Sequence, residues 1–123
     1  MILVDTSVWV DHLRHGDARL AALLEHETVL AHPQVIGELA LGQLRHRDAV
    51  LSELMELPRA TVASDDEVLR LIERETLYAS GLGYVDAHLL AATRLTPGAL
   101  IWTRDRRLLS AAEKLSLAAR LSH

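Results

Sequence analysis

Short apolar runs alternate with amphipathic stretches along the chain. Residues 1–4, 28–31, 60–63 and 99–103 have the apolar pattern of buried strands, and residues 117–121 are a candidate for a short closing strand. Strands that alternate with helices form parallel sheets through right-handed crossovers, and helices cover both faces of such sheets. The pattern therefore predicts an α/β/α sandwich with a central parallel sheet of four to five strands.

Caps and breakers delimit the predicted helices. Asp17 is placed to cap one helix, and Ser64 with Glu67 forms a capping box at the start of another. Glycines near positions 16 and 81–83, and prolines at positions 33, 58 and 97, mark the breaks. The predicted helices span residues 8–13 with an end near 16, 18–26, 33 to about 44, 48–56, 65 to about 79, 84–93 and 105–115.

Composition narrows the class of protein. At 123 residues, of which half are apolar, the chain is expected to form one domain over residues 1–123. It contains no cysteine, which excludes a disulfide scaffold, a thiolate zinc site and a cysteine nucleophile. No apolar run reaches the ~18 residues of a membrane span, and the N-terminus lacks the pattern of a signal peptide. We therefore expect a cytoplasmic protein that makes no membrane contact.

The charge balance bears on nucleic-acid binding. The net charge of −4 argues against binding nucleic acid by phosphate neutralisation alone. It leaves open a nucleic-acid enzyme whose positive charge comes from a bound metal ion.

Four carboxylates lie where chemistry is expected. Asp5 closes the first strand and Asp105 follows the fourth, and ligands of open parallel sheets bind outside the carboxyl ends of the strands. Glu38 and Asp86 interrupt apolar helical stretches. Taken singly, each acid has a structural alternative, as a helix cap, a first-turn charge or a solvated side chain.

These acids stand in four short motifs, and together the motifs resemble those of PIN-domain ribonucleases. In size and motif order the chain is similar to the VapC-type toxins of bacterial toxin–antitoxin pairs, and the likeness covers nearly the whole sequence. One departure follows the fourth acid, where the family often has an aromatic residue and this chain has Leu108 and Leu109. The motifs are Val4-Asp5-Thr6-Ser7-Val8, Glu38 within a helix, Asp86-Ala87-His88-Leu89-Leu90-Ala91-Ala92, and Thr103-Arg104-Asp105-Arg106-Arg107-Leu108.

The resemblance implies metal-dependent cleavage of RNA. The family's acidic positions, which would hold Mg²⁺ or Mn²⁺, fall on Asp5, Glu38, Asp86 and Asp105. Thr6 and Thr103 fall on hydroxyl positions that support the site. The family also implies a cognate antitoxin and a homodimer. The chemistry is consistent, since both ions are hard and prefer oxygen ligands.

Three arginines surround the fourth acid. Arg104, Arg106 and Arg107 are candidates for contacts with RNA phosphates. The alternative is that they are solvated or pair with nearby acids.

Other functions fit less well, with one exception. A phosphoaspartyl phosphatase would carry a second aspartate where Ser7 stands, and a receiver domain needs a lysine at a strand end, whereas Lys114 lies inside a predicted helix. No phosphate-binding loop is present. A non-catalytic PIN-like module that acts by binding RNA or protein remains the open alternative to an enzyme.

Overall fold

The computed structural model describes residues 1–121. Within them, strands and helices follow one another as β1 (Ile2–Val4), α1 (Thr6–His15), α2 (Ala18–Glu25), β2 (Val29–Leu30), α3 (Pro33–Leu41), α4 (Arg47–Glu56), α5 (Asp65–Arg74), α6 (Tyr84–Leu95), β3 (Leu100–Trp102) and α7 (Arg106–Lys114).

The sheet is parallel and has β1 at its centre. The strand order is β2-β1-β3, with Leu3 opposite Leu30 on one side and opposite Ile101 on the other. Leu3 and Ile101 are fully buried, as expected for a strand covered on both faces. Because the chain passes from β1 to one side and later to the other, the carboxyl end of β1 is the switch point where such sheets bind ligands.

The predicted number of strands is wrong, although the parallel α/β class is confirmed. Residues 1–121 form three strands, and the segment predicted at residues 60–63 contributes only an isolated bridge between Arg59 and Ala31. The Ala31 amide donates to the Pro58 carbonyl at 2.8 Å, and the Ala60 amide donates to the Ala31 carbonyl at 3.0 Å. The next amide, that of Thr61, turns away to donate to Thr96 Oγ1 at 2.9 Å, so the ladder ends.

The predicted closing strand at residues 117–121 is likewise reduced to one bridge, between Ala118 and Ile101. In β3 the Leu100 amide and the Trp102 carbonyl bond towards β1, which leaves only Ile101 with its backbone groups directed outwards. Because β3 has only three residues, a further strand at this edge of the sheet could pair with a single residue.

Local signals place most helix ends correctly. The capping box is formed, with Ser64 Oγ accepting the Glu67 amide at 3.1 Å and Glu67 Oε1 accepting the Ser64 amide at 2.9 Å. The predicted extension of this helix to about residue 79 is wrong. α5 ends at Arg74, because Thr76 adopts a left-handed φ of 55°. α3 also stops earlier than predicted, at Leu41, where Gly42 takes an extended conformation.

Five of the helices pack in two groups. α3 contacts α1 and α4, whereas α6 contacts both α5 and β3. Trp9 and Trp102 are buried in the core. In the part of the chain that the structure describes, no helix is long and apolar enough to cross a membrane.

Candidate active site

Asp5 lies at the switch point, directly after β1. Its amide donates to the Trp102 carbonyl at 2.9 Å, which ties the end of β1 to β3. The residue stands at the N-cap of α1, but its side chain makes no capping hydrogen bond. Asp5 Oδ2 instead accepts from Ser7 Oγ at 2.8 Å and from Thr103 Oγ1 at 2.7 Å. With only 6% of its surface exposed, Asp5 is a buried carboxylate fixed by two hydroxyl groups.

Asp105 follows β3 and is exposed. Its Oδ1 accepts the Leu108 amide at 2.9 Å and caps α7, so the structural alternative holds for one of its oxygens. Its own amide donates to Thr103 Oγ1 at 3.0 Å. Since the same hydroxyl donates to Asp5, Thr103 links the two acids that follow neighbouring strands.

Glu38 is carried by α3 and reaches the start of α1. Its Oε1 accepts from Thr6 Oγ1 at 2.7 Å, and its side chain is exposed. Thr6 and Thr103 therefore each donate to one of the candidate acids, as a supporting role requires.

Asp86 stands in the first turn of α6 and is half-buried. Burial raises the pKa of this carboxyl most strongly, and the negative charges of Asp5, Asp105 and Glu38 raise it further. The Gly83 amide, which donates to Asp86 Oδ2 at 3.2 Å, acts in the opposite direction. Asp86 is thus the candidate acid that is influenced by the charges of the other three.

The acids do not form a complete ligand set in the structure. Among residues 1–121, no group of three histidine, aspartate or glutamate side chains is arranged to hold a metal ion. The donor chemistry nevertheless suits a hard cation, since oxygen is the atom that Mg²⁺ and Mn²⁺ prefer. A cation beside Asp86 would also offset the repulsion that raises its pKa.

The three arginines near Asp105 differ in their contacts. The guanidinium of Arg104 pairs with Asp11 at 2.7 Å and with Asp17 at 2.5 Å, so the structure favours the pairing alternative for this residue. Arg107 lies against Gly81, whose carbonyl accepts from its Nη1 at 3.4 Å. Arg106 is exposed at the start of α7.

Ser7 is the site residue that the sequence analysis missed. Its hydroxyl donates to Asp5, lies 3.3 Å from Thr103 Oγ1 and accepts the Arg104 amide at 3.0 Å. It therefore joins the turn after β1 to the turn after β3. The available signal was the run of hydroxyl residues directly after Asp5 in the sequence.

A central parallel strand that ends in a buried, hydroxyl-bound aspartate agrees with the match to a protein-family model. The chain belongs to the PIN-domain family, whose family model matches residues 2–114.

Within that family, the chain is similar to VapC-type ribonucleases, which confirms the resemblance seen in the motifs. It is 52% identical over 118 residues to Ribonuclease VapC32 of Mycobacterium tuberculosis, in strain CDC 1551 / Oshkosh and in strain ATCC 25618 / H37Rv. The match covers 96% of this chain and 95% of each relative. Among solved structures, FitAcB from Neisseria gonorrhoeae superimposes with a TM-score of 0.59 at 23% identity, over 92% of this chain and 94% of that one. This likeness shows a shared fold.

Proposed function

We propose that the protein is a metal-dependent endoribonuclease that serves as the toxin of a toxin–antitoxin pair. The observation that carries the proposal is the buried Asp5 carboxylate at the switch point, which is fixed by Ser7 and Thr103 and whose charge, like those of Asp105 and Glu38, raises the pKa of Asp86. Both hydroxyl groups bind Oδ2 of Asp5, so Oδ1 is the oxygen that would bind a divalent cation. The 52% identity to a protein named a ribonuclease supports the substrate class.

In this proposal Asp5, Glu38, Asp86 and Asp105 hold Mg²⁺ or Mn²⁺, directly or through water. The ion supplies charge neutralisation at the phosphate and an activated water. Thr103 and Ser7 hold Asp5 in place, and thereby fix the ligand nearest to the sheet. Such hydrogen bonds to ligand carboxylates orient them and tune metal affinity.

Thr6 positions Glu38. By donating to Glu38, its hydroxyl holds this exposed side chain against the start of α1. Asp105 keeps one oxygen on the α7 amide and leaves the other available to the site. Arg106 and Arg107 remain proposed contacts for RNA phosphates.

The similarity to VapC-type ribonucleases also supports the proposed partners. These are a cognate antitoxin that masks the acids, an RNA substrate and a second copy of the chain in a homodimer, with the cytoplasm as the site of action.

Incubation of purified protein with total RNA tests the proposal. We expect discrete cleavage products in Mg²⁺ or Mn²⁺ and none in excess chelator. RNA that is bound but never cut, in either metal, would instead support the non-catalytic binding module. Cleavage that persists in chelator would contradict a metal-dependent site.

A further inference from the structure

A groove of about 640 Å³ runs between α1, α3 and the start of α4. Its floor is apolar and includes Leu13, Leu39 and Val50, while Glu38 stands in its wall. Glu38, which accepts a hydrogen bond from Thr6 at the start of α1, therefore belongs both to the groove and to the set of candidate acids.

The polar wall of this groove is basic. Arg14 and His15 contribute from the last turn of α1, and Arg45 and His46 from the segment between α3 and α4. Glu38 is the only acid among the lining residues. This local balance is opposite to the net charge of −4 carried by the whole chain.

These basic side chains are not used to hold the fold together. None of the ion pairs formed within residues 1–121 involves Arg14 or Arg45, and all four basic side chains are exposed. His46 occupies the N-cap of α4 with a left-handed φ of 55°, yet its imidazole makes no capping bond.

Other histidines make structural contacts. His12 accepts the Asp17 amide, His26 contacts the Ala22 carbonyl, His32 accepts the Gln34 amide and His88 contacts Asp65. In the described part of the chain, His15 and His46 have no such contact. The two histidines without a structural partner therefore both face the same groove.

The connection between α3 and α4 is itself held in place. Arg47 Nη1 donates to the Ala40 carbonyl at 2.6 Å, which closes the segment that carries Arg45 and His46. Arg45 and His46 thus lie on a segment that this hydrogen bond ties to α3.

We propose that this groove binds the single-stranded RNA that is led to the acids, with Arg14 and Arg45 contacting phosphates and the apolar floor and imidazoles contacting bases. This inference rests on the proposed ribonuclease function. Proteins that bind single strands combine positive charge along the backbone with flat or apolar surfaces for the bases. A basic approach also compensates for the repulsion between RNA and the acids.

Binding of a fluorescently labelled single-stranded RNA, followed by anisotropy in chelator, tests the groove without cleavage. The test protein is the Arg14→Gln/Arg45→Gln double variant. The matched control is Arg70→Gln/Arg74→Gln, two exposed arginines of α5. We expect this double variant, the groove variant, to bind RNA roughly tenfold more weakly. The slope of its log affinity against log salt concentration should become less steep by about 1.4, because two phosphate contacts are lost. The control should match wild type, and Arg14→Lys/Arg45→Lys should retain most of the affinity.

Cleavage assays in Mn²⁺ with the same proteins distinguish a failure of the groove inference from a failure of the proposed ribonuclease function. We expect the groove variant to need more RNA for half-maximal rate, with its maximal rate largely kept. If the wild type cleaves and the groove variant equals it in affinity, salt dependence and rate, the groove inference is overturned and the ribonuclease stands. If the wild type neither binds nor cleaves RNA, both proposals fail. If the groove variant loses binding to polyglutamate and keeps that to RNA, the groove is a protein site and the inference is wrong.

Discussion

His32 makes the stability of this protein sensitive to mild acid. The residue is fully buried at the N-cap of α3, where its Nδ1 accepts the Gln34 amide at 3.1 Å. Burial is the main cause that lowers the pKa of His32 from its ordinary value of 6.5 to about 4, and the electrostatic effects of His88 and Arg59 contribute to that shift. The folded protein therefore keeps this imidazole neutral at pH values where an unfolded chain would protonate it.

The sign and size of the effect follow from proton linkage. As the pH falls below 6.5, the unfolded state binds a proton that the folded state rejects, so the free energy of unfolding decreases. The loss continues until the pH reaches about 4 and amounts to about 3 kcal/mol in full. Between pH 7 and pH 5 it is about 2 kcal/mol, which is a large part of the total stability of a small domain.

Urea unfolding at pH 7 and pH 5 measures this loss, with His32→Asn as the comparison. Asparagine keeps an oxygen that accepts the Gln34 amide and does not titrate. We expect the variant to be less stable than wild type at pH 7, because it leaves space in the core. Between the two pH values, however, wild type should lose about 2 kcal/mol more than the variant. Equal losses of unfolding free energy in the two proteins would refute the reasoning, because the protonation of His32 on unfolding would then not cause the loss.

Three further changes test other contacts. Asp86→Asn should slow RNA cleavage roughly 100-fold or more. It should not lower the melting temperature in chelator, because burial and the charges of the other candidate acids disfavour the charged form of Asp86; a clear fall in melting temperature would contradict this. Thr103→Val removes the hydroxyl bonded to the buried Asp5. It should lower the free energy of unfolding, measured in urea, by about 1–3 kcal/mol and the cleavage rate about 10–100-fold. Unchanged stability and rate would contradict a supporting role for Thr103. Ser64→Ala breaks the capping box of α5 and should lower the free energy of unfolding by about 1 kcal/mol without changing RNA cleavage. Loss of cleavage would mean that α5 contributes to the active site.

Features decided by neighbouring residues could be predicted from the sequence. The strand that ends at Val4, the Asp17 cap and the capping box at Ser64 all depend on side chains within a few positions of one another. The parallel α/β class followed from the alternation of strands and helices, and the order of the motifs led to the family.

Features decided by distant parts of the chain could not be predicted in this way. The segments at residues 60–63 and 117–121 have strand-like patterns, but the backbone groups of Thr61 and Ile101 limit each of them to one bridge. The contact of Ser7 with Thr103 spans 96 positions, and the pairing of Arg104 with Asp11 spans 93. The predicted strand ends and the motifs indicated which acids to consider, and only the fold shows which hydroxyl groups bind them.

The most direct test of the account compares cleavage of one defined RNA by wild type, Asp5→Asn and Asp48→Asn in saturating Mn²⁺. Asp48 is an exposed first-turn acid of α4, which makes its variant a matched change of charge away from the candidate site. We expect wild type and Asp48→Asn to cut at the same positions and at the same rate, and Asp5→Asn to leave the RNA intact while remaining folded. Undiminished cleavage by a folded Asp5→Asn protein would contradict the claim that the carboxylate at the end of β1 holds the catalytic metal.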